Sequence, residues 1–520
     1  MKVTDVADVV VIGAGHNSLI AAAYLARAGL EVLVVEEQPI VGGNTVSEQL
    51  TLPGHLHDSC SSAHVLLQSN PAIRDDELGL AGLGLRYVHT DPAVVLPFAD
   101  GSSLVVHRDV ERTATEIARL DETDADAFRT LHADWSGGLS AAHARWNAGT
   151  LAPEDSAADA RYAALREQSA LTTILARFRH PRVIDALAWL SFATIQRIDR
   201  AGTGILPFSI VAGRTAFGWS TPIGGSAALP AALVGVIEKH GGTVRVGSPV
   251  EQILVSDGRA AGVRIADGTT LTARRAVLSS AHLAHLPALL HGAGLSAPVA
   301  TAIDAAAASW RPGLSLYAVH LVTRGQLSYP AAGGVVPSVA GGLGGLAGLL
   351  AQYRAFDRGT TETPDPWVLV VCSTLVDPGR APDGHGIVKF LTIAPYALSA
   401  GRDWESERDR YAQVLLRHAR QRICGLDDAE VLAVAAEGPR DLERRNRHNV
   451  GGSCHGGEFV GADGTTLVGW PDHRLPLPGL YQTGSTAHPG GSVAGRAGRN
   501  AARVLLTDLG FDPATVMAAQ

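Results

Sequence analysis

Gly13, Gly15, Ser18 and Glu36 have types and a spacing suited to binding a dinucleotide. Gly13 permits a tight turn, and Gly15 lets the backbone approach a pyrophosphate closely. The helix that follows begins with free amide groups, which can donate to phosphate oxygens. Glu36 lies about twenty residues further on, where a carboxylate accepts hydrogen bonds from ribose hydroxyls. These residues indicate a nucleotide site, although Ser18 stands where the fingerprint has its third glycine.

The elements that must position these residues form a strand–turn–helix–strand unit. Apolar runs at residues 9–12 and 32–35 predict two strands, and the small residues 19–26 between them predict a helix. Gly29 can end this helix in the left-handed conformation. The unit favours a dinucleotide site; the alternative is a glycine turn in an ordinary parallel sheet.

Two further segments favour FAD over NAD. Gly42, Gly43 and Asn44 place a second glycine pair where the chain would pass the pyrophosphate again. Near the other end, a strand and a glycine-rich turn precede a predicted helix at residues 493–506. The positive end of that helix would face the pyrimidine side of a flavin. The alternative is a terminal helix that only completes the core.

Four segments in order carry a resemblance to a known family: residues 9–43, 224–229, 377–385 and 479–500. The chain resembles the phytoene desaturase branch of the FAD-dependent amine oxidase superfamily. It is most similar to the non-carotenoid members called pyridine-nucleotide-disulphide-oxidoreductase-domain proteins. It departs from their pattern at Ser18 and in the glycine-rich residues 333–348, where the departure weakens any analogy of substrate.

The resemblance implies an α/β fold, with a Rossmann-type, glutathione reductase-like FAD-binding domain and a discontinuous α+β substrate domain. Residues 1–70, 215–300 and 436–520 would form the FAD-binding domain, and residues 71–214 and 301–435 the substrate domain, helical in part with a sheet. The residues expected to bind FAD are Gly13, Gly15, His16, Asn17, Ser18, Glu36, Glu37, Gly42, Gly43, Asn44, Val250, Gly484, Ser485, Gly491, Ser492 and Val493.

Two histidines are the candidate catalytic residues, because histidine is the usual general base near neutral pH. His455 lies in a glycine-rich loop, and His488 lies inside the C-terminal motif. By resemblance both loops border the flavin, which accepts a hydride at N5. The alternative for each is a hydrogen bond that orders its loop. His55, His57 and His64 are weaker candidates for the same cavity.

The expected activity is that of a FAD-dependent dehydrogenase or desaturase, which forms a C=C or C=N bond in a small or medium organic substrate. A redox-neutral flavin-dependent isomerase, an amine oxidase and a flavin-bearing scaffold without turnover remain alternatives. The electron acceptor could be oxygen, a quinone or another compound. No recognisable motif indicates a metal site, a serine nucleophile or a Walker A loop.

Composition excludes several other classes. A chain of 520 residues is long for one core, and its net charge of −8 argues against a nucleic-acid surface. Its four cysteines include no CxxC pair, which argues against disulfide reductase chemistry and favours reduced thiols in the cytoplasm. No signal peptide precedes the first strand.

The uncharged residues 331–351 are nominally long enough to span a membrane. Their glycines and proline favour a flexible apolar loop or lid, and weak membrane contact stays open. The GxGxxA pattern at residues 342–347 is interpreted as a chance match and not as a separate NAD site, because no second βαβ unit follows it.

Overall fold

Two seven-stranded sheets organise the chain in the computed structural model, which describes residues 5–331, 334–458 and 472–518. The strands are β1 (Val6–Ile12), β2 (Val32–Val35), β3 (Ser47–Glu48), β4 (His57–Asp58), β5 (Tyr87–Thr90), β6 (Val94–Pro97), β7 (Ser103–Val106), β8 (Trp219–Pro222), β9 (Thr243–Arg245), β10 (Val250–Ser256), β11 (Arg259–Ile265), β12 (Thr270–Ser279), β13 (Leu316–Arg324), β14 (Ser328–Ala331), β15 (Gly334–Pro337), β16 (Ala340–Leu343), β17 (Val368–Cys372), β18 (His385–Ile393), β19 (Val431–Glu437) and β20 (Leu480–Gln482).

The helices lie between and around these sheets. They are α1 (His16–Arg27), α2 (Pro71–Arg74), α3 (Val110–Ala118), α4 (Glu122–Asp134), α5 (Ser140–Asn147), α6 (Ala157–Arg166), α7 (Ala170–Leu175), α8 (Pro181–Phe192), α9 (Gly213–Phe217), α10 (Ala228–Lys239), α11 (Leu286–Leu289), α12 (Ala297–Ser309), α13 (Leu346–Asp357), α14 (Trp404–Arg420), α15 (Pro439–Arg445), α16 (Arg496–Asp508) and α17 (Pro513–Val516).

The first sheet confirms the predicted α/β fold. Its strands follow the order β10–β11–β12–β1–β2–β9, and β20 pairs with β12. Strand β1 runs parallel to β2 and β12, and β12 runs parallel to β20. The first and last strands of the chain therefore both neighbour β12, which brings the two glycine-rich segments to the same edge. Such an edge, at the carboxyl ends of parallel strands, is where this class of sheet binds ligands.

Helix α1 packs against α10 and α16 and covers one face of the first sheet. It consists of small and apolar residues, and residues 17–26 are all buried. The crossing with α16 is close: a Cβ atom at Gly498 would lie 2.2 Å from the carbonyl oxygen of Asn17. Gly29 has φ = +84°, so it ends α1 in the left-handed conformation as expected.

The second sheet has the order β19–β13–β18–β17–β16–β6–β7 and is antiparallel except at the β16–β6 pair. Strand β13 is buried from Leu316 to Thr323, because helices cover both faces of the sheet. Trp404 and Tyr411 of α14 pack on one face. On the other, the Trp189 ring of α8 stacks on Trp367 at 5.3 Å. The sequence predicted this second sheet.

The expectation of a loop or lid at residues 331–351 is wrong for the described residues. They contain β15, β16 and the start of α13. Gly342 is needed there because a Cβ atom would lie 2.2 Å from the Trp189 ring. Strand β17 runs antiparallel to β16, so the GxGxxA pattern does not form a βαβ unit. Among the helices of the described residues, none has the length and apolar character needed to cross a bilayer.

Arg380 joins the two central segments that carried the family resemblance. Its guanidinium group is buried and donates to Asp58 Oδ2 at 2.6 Å, to Asp377 Oδ2 at 2.7 Å and to a backbone carbonyl. Asp377 accepts from the Gly224 amide, and Asp58 accepts from the Ser226 amide, each at 2.8 Å. These contacts fix the turn before α10 against the segment between β17 and β18.

Candidate active site

A cavity of about 800 Å³ lies between the carboxyl edge of the first sheet and one face of the second. This main cavity is large enough for a cofactor together with a substrate portion. Most of the residues expected to bind FAD line it: Gly13, Gly15, His16, Asn17, Ser18, Glu36, Glu37, Gly43, Asn44, Val250, Gly484, Ser485, Ser492 and Val493. Gly42 and Gly491, which were also expected to bind FAD, are not among the residues that line the cavity.

The phosphate-binding turn follows β1 and is shaped by backbone contacts. Gly13 has φ = +88°, and a Cβ atom there would lie 2.3 Å from Ser280 Oγ. At Gly15, by contrast, a Cβ atom would meet nothing within 4 Å, so its open side faces the cavity. The Gly42 amide donates to the Ala14 carbonyl at 2.8 Å, which places the second glycine pair beside the first. The return of the chain to this turn was expected.

Glu36, at the end of β2, is held by two backbone amides. Its Oε2 accepts from the Ala14 amide at 2.7 Å and its Oε1 from the Gln38 amide at 2.9 Å. Burial raises the pKa of Glu36, although these amide donors oppose the rise. The carboxylate is thus fixed where it lines the main cavity, next to the phosphate-binding turn.

The start of α1 offers donors without partners in the described residues. Ser18 is fully buried, and its Oγ has no hydrogen-bond partner there. Gly15, the residue before α1, has no side chain to cap the helix, and residues 15–18 line the cavity. Burial lowers the pKa of His16 to about 4, which keeps its ring neutral at pH 7. A buried hydroxyl beside free helix amides fits a phosphate.

The segments before β20 and before α16 also line the main cavity, and they meet the phosphate-binding turn at Ser280. Ser485 Oγ bonds to His448 Nε2, and His448 Nδ1 donates to the Ser280 carbonyl at 2.9 Å. Burial lowers the pKa of His448 to about 4. Helix α16 begins at Arg496, three residues later than predicted, because Ser492 has φ = +70° and turns the chain first.

Gly491 has a different role from the expected close approach of a flat ring. A Cβ atom there would lie 2.3 Å from the carbonyl oxygen of His455. The glycine therefore lets the two glycine-rich loops pack against each other. Gly42, with φ = +123°, similarly shapes the turn that carries Gly43 into the lining.

The two candidate histidines differ in what surrounds them. His455 lines the main cavity, its Nδ1 is buried without a partner among the described residues, and burial lowers its pKa to about 4. His488 does not line that cavity. Its Nε2 bonds to the Trp146 carbonyl at 2.6 Å, and its ring packs edge-on against Trp146. For His488 the structure favours the loop-ordering role.

The three weaker histidine candidates also stand outside the lining. His55 bonds to the His385 ring, His57 to Thr51, and His64 to Tyr87 and Ser226. Each therefore holds the segment between the glycine pair and α2 in place.

Sequence reasoning missed Lys389, which reaches the main cavity from β18. Its Nζ is buried and donates to the carbonyls of Ser59 and Cys60. Burial lowers its pKa. On the neighbouring strands His320 bonds to Glu437 at 3.0 Å, so a charged group lies close to this lysine. The available signal was a single charge inside the apolar run of residues 386–393.

Comparison with known proteins identifies the family. The model of the family described as "Flavin containing amine oxidoreductase" matches residues 19–506. The chain belongs to this family. Its cofactor is FAD, and it is a FAD-dependent oxidoreductase, as the resemblance implied. The partnerless Ser18 Oγ, the open side of Gly15 and the fixed Glu36 carboxylate fit that cofactor.

Several curated proteins are similar to this chain over most of their length. Pyridine nucleotide-disulfide oxidoreductase domain-containing protein 2 of Mus musculus is 28% identical, covering 96% of this chain and 94% of that protein. Hydroxyneurosporene desaturase of Cereibacter sphaeroides is 27% identical, over 97% and 98%. A neurosporene-forming phytoene desaturase of the same organism is 26% identical, over 82% and 80%. These relatives confirm the phytoene desaturase-like branch.

A solved structure shows the same fold. Wild-type putrescine oxidase bound to putrescine has a TM-score of 0.61 and is 15% identical, covering 97% of this chain and 99% of that one. At this identity the likeness concerns the fold alone.

Proposed function

We propose that this oxidoreductase is a dehydrogenase or desaturase that removes hydrogen from two adjacent atoms of an organic substrate. The observation that carries the proposal is the composition of the main cavity. One end is lined by the phosphate-binding turn, and the other by apolar side chains of the second sheet. The apolar residues on that wall are Leu316, Leu369, Val371, Leu391 and Ala436.

The lining favours a carbon substrate over an amine. Amine oxidases often hold their substrate between two aromatic rings, and such a wall needs at least two lining residues of Phe, Tyr or Trp type. Among the described residues that line the main cavity, Trp219 alone is of that type. Apolar aliphatic side chains instead suit a hydrocarbon portion, which they desolvate without offering it hydrogen bonds. We therefore favour formation of C=C over C=N.

The chain supplies binding and proton transfer around FAD. The amides and hydroxyl at the start of α1 would hold the pyrophosphate, Glu36 the ribose, and the backbone near Val250 the adenine. Bound FAD supplies a two-electron acceptor at N5. The apolar wall orients the substrate and excludes water, so that its C–H bond can lie at about 3–3.5 Å from the acceptor.

The reaction also releases a proton from the adjacent substrate atom, and Lys389 is suited to take it. Burial lowers its pKa, so it gives up its proton more readily than an exposed lysine and can then offer a free electron pair. His455 is the second candidate, because it lines the same cavity and its buried Nδ1 is unpartnered among the described residues. In this scheme the substrate loses one hydride and one proton, and a double bond forms between the two atoms.

We also propose the domain division that the resemblance implied. Residues 1–70, 215–300 and 436–520 would form the FAD-binding domain, and residues 71–214 and 301–435 the substrate domain. The pairing of β1, β2, β9–β12 and β20 in the first sheet supports it, as does the pairing of β6, β7, β13 and β16–β18 in the second. Strand β19 ends at Glu437 and belongs to the second sheet, which moves that boundary slightly.

The test is anaerobic mixing of oxidised holoenzyme with candidate hydrocarbons, their acidic derivatives and amines. We expect a compound with an aliphatic or unsaturated carbon portion to bleach the flavin absorbance near stoichiometrically and to yield a product with one more double bond. Bleaching by amines alone would replace the proposal with amine oxidation. A rearranged product without bleaching would replace it with isomerisation. Admitting oxygen or a quinone to the reduced enzyme then identifies the electron acceptor.

A further inference from the structure

A second cavity, of about 160 Å³, adjoins the main cavity. Leu66, Thr194, His455 and Ser492 line both and form the common wall. We call this space the arginine cavity because four arginines line it: Arg166, Arg197, Arg200 and Arg496. They come from the end of α6, the segment after α8 and the start of α16.

Arg166 is a partly buried cation without a counter-ion in the described residues. Its guanidinium group lies 3.9 Å from the centroid of the Trp146 ring and hydrogen-bonds to Tyr162. Burial lowers its pKa. No carboxylate of the described residues lies within ion-pair distance of it. Because desolvating a charge costs free energy unless it is paired, an anion bound beside this group would be stabilised by it.

Arg496 and Arg200 also lack a counter-ion among the described residues. Arg496 donates to the Ser69 carbonyl at 2.7 Å, a neutral acceptor. Burial, reinforced by repulsion from Arg499 and Arg74, lowers the pKa of Arg496 to about 10. Arg200 Nε is buried and has no hydrogen-bond partner among the described residues.

The acidic groups nearby do not balance this charge. Arg197 is already paired with Asp199 and Asp357, each at 3.0 Å. Glu458 also lines the arginine cavity, and burial raises its pKa although Arg200 and Arg197 oppose the rise. Within the part of the chain that the structure describes, three arginines without ion pairs thus face one carboxylate, which leaves the cavity positively charged.

We propose that the arginine cavity binds the anionic end, a carboxylate or a phosphate, of the substrate whose carbon portion lies in the main cavity. The proposal rests on the function proposed above. Guanidinium groups match the oxygens of both anions, and several in one small cavity give selectivity over a neutral group. The two cavities share His455 and Ser492 in their linings, so they are adjacent, and a single molecule that passes these residues would occupy both. An acidic substrate would set this chain apart from enzymes that desaturate plain hydrocarbons.

Calorimetric titration of the oxidised holoenzyme with matched eight-carbon probes tests the proposal. The probes are octanoate, octyl phosphate and 1-octanol, and comparison of the first two tells a carboxylate site from a phosphate site. We expect at least one anion to bind about tenfold or more tightly than octanol, because hydrogen bonds to charged groups are strong. We expect the double variant Arg166→Gln/Arg200→Gln to lose that preference.

Arg182→Gln is the matched control. Arg182 also stacks over an aromatic ring, at 4.8 Å from the Phe98 centroid, but lies outside both cavities. It should bind the probes as the unmodified protein does. Octanol binding as tightly as both anions would overturn the proposal, and so would unchanged anion affinity in the folded double variant. The probe comparison needs no variant to fold. If no organic substrate bleaches the flavin while anion binding still depends on these arginines, the proposed function fails and the anion site stands.

Discussion

The two ends of the main cavity are built differently. At the phosphate-binding turn the groups that face the cavity are backbone amides, and glycines make room for them. At the opposite wall, side chains of the second sheet form the surface, with Lys389 among apolar residues. A backbone site depends on a short local pattern, whereas a side-chain site depends on strands far apart in the chain. The first binds a constant cofactor, and the second can vary with the substrate.

Substitution at Gly15 should give the largest effect, because it tests whether the open backbone is needed. We expect Gly15→Trp to abolish FAD retention, because the indole would fill the open space beside Gly15 that the cofactor needs. A Cβ atom at Gly15 has no neighbouring atom within 4 Å. The flavin absorbance of the purified protein is the measurement. Gly82→Trp is the control, because Gly82 is exposed and also has open space beside it. A full flavin content in Gly15→Trp would show that the FAD phosphates do not bind at this turn.

Substitution at Lys389 tests the side-chain end. We expect Lys389→Met to retain FAD but to slow substrate-dependent bleaching by about 10²- to 10⁴-fold, the usual contribution of a general base. The pKa of Lys389 is lowered from 10.5 by burial, so in the unmodified protein kcat/KM should rise with pH and level off below 10.5. The variant should lack this rise. Lys239→Met, at an exposed position of α10, should behave as the unmodified protein does.

Substitution at Arg380 tests the contact between the two segments of the family resemblance at residues 224–229 and 377–385. We expect Arg380→Met to lower the free energy of unfolding by about 3–5 kcal/mol, because it leaves the carboxylates of Asp58 and Asp377 buried without their cation. Urea unfolding followed by fluorescence measures this change. Arg74→Met is the matched control: its pair with Asp75 is exposed and should contribute about 0–1 kcal/mol. Equal losses in the two variants would refute the structural role of Arg380.

The two histidines give the smallest and most selective comparison. His455→Ala should keep its flavin and lose about tenfold or more in rate. With a pKa of about 4, His455 should add no titration step to the rate between pH 6 and 8. His488→Ala should instead lose about 0.5–1.5 kcal/mol of stability, the usual value of one hydrogen bond, with little change in rate. A reversed pattern would exchange their proposed roles.

The cofactor end could be predicted from the sequence because its information is local. Gly13, Gly15 and Glu36 lie on one strand–turn–helix–strand unit, and the structure places all three around one cavity. The glycine-rich turn between β20 and α16 was also predicted from its own sequence pattern. Gly491 in that turn proved to accommodate the His455 backbone.

The substrate end could not be predicted in the same way. Lys389 meets the cavity only because β18 pairs with β13 in the second sheet, a contact between residues far apart in the chain. Arg166, Arg200 and Arg496 come together from three separate elements. The family resemblance predicted a sheet there, but register and pairing decide which side chain faces the cavity. Residues 331–351 were misjudged because glycine usually breaks structure, whereas here it allows close packing against Trp189.

The most direct test of this account is a crystal structure of the holoenzyme with FAD bound. We expect the pyrophosphate within hydrogen-bond distance of the amides at the start of α1, the ribose at Glu36, and the ring between Ser492 and Lys389. Electron density for FAD with its ring away from the second sheet, or with its phosphates away from Gly15, would contradict the account.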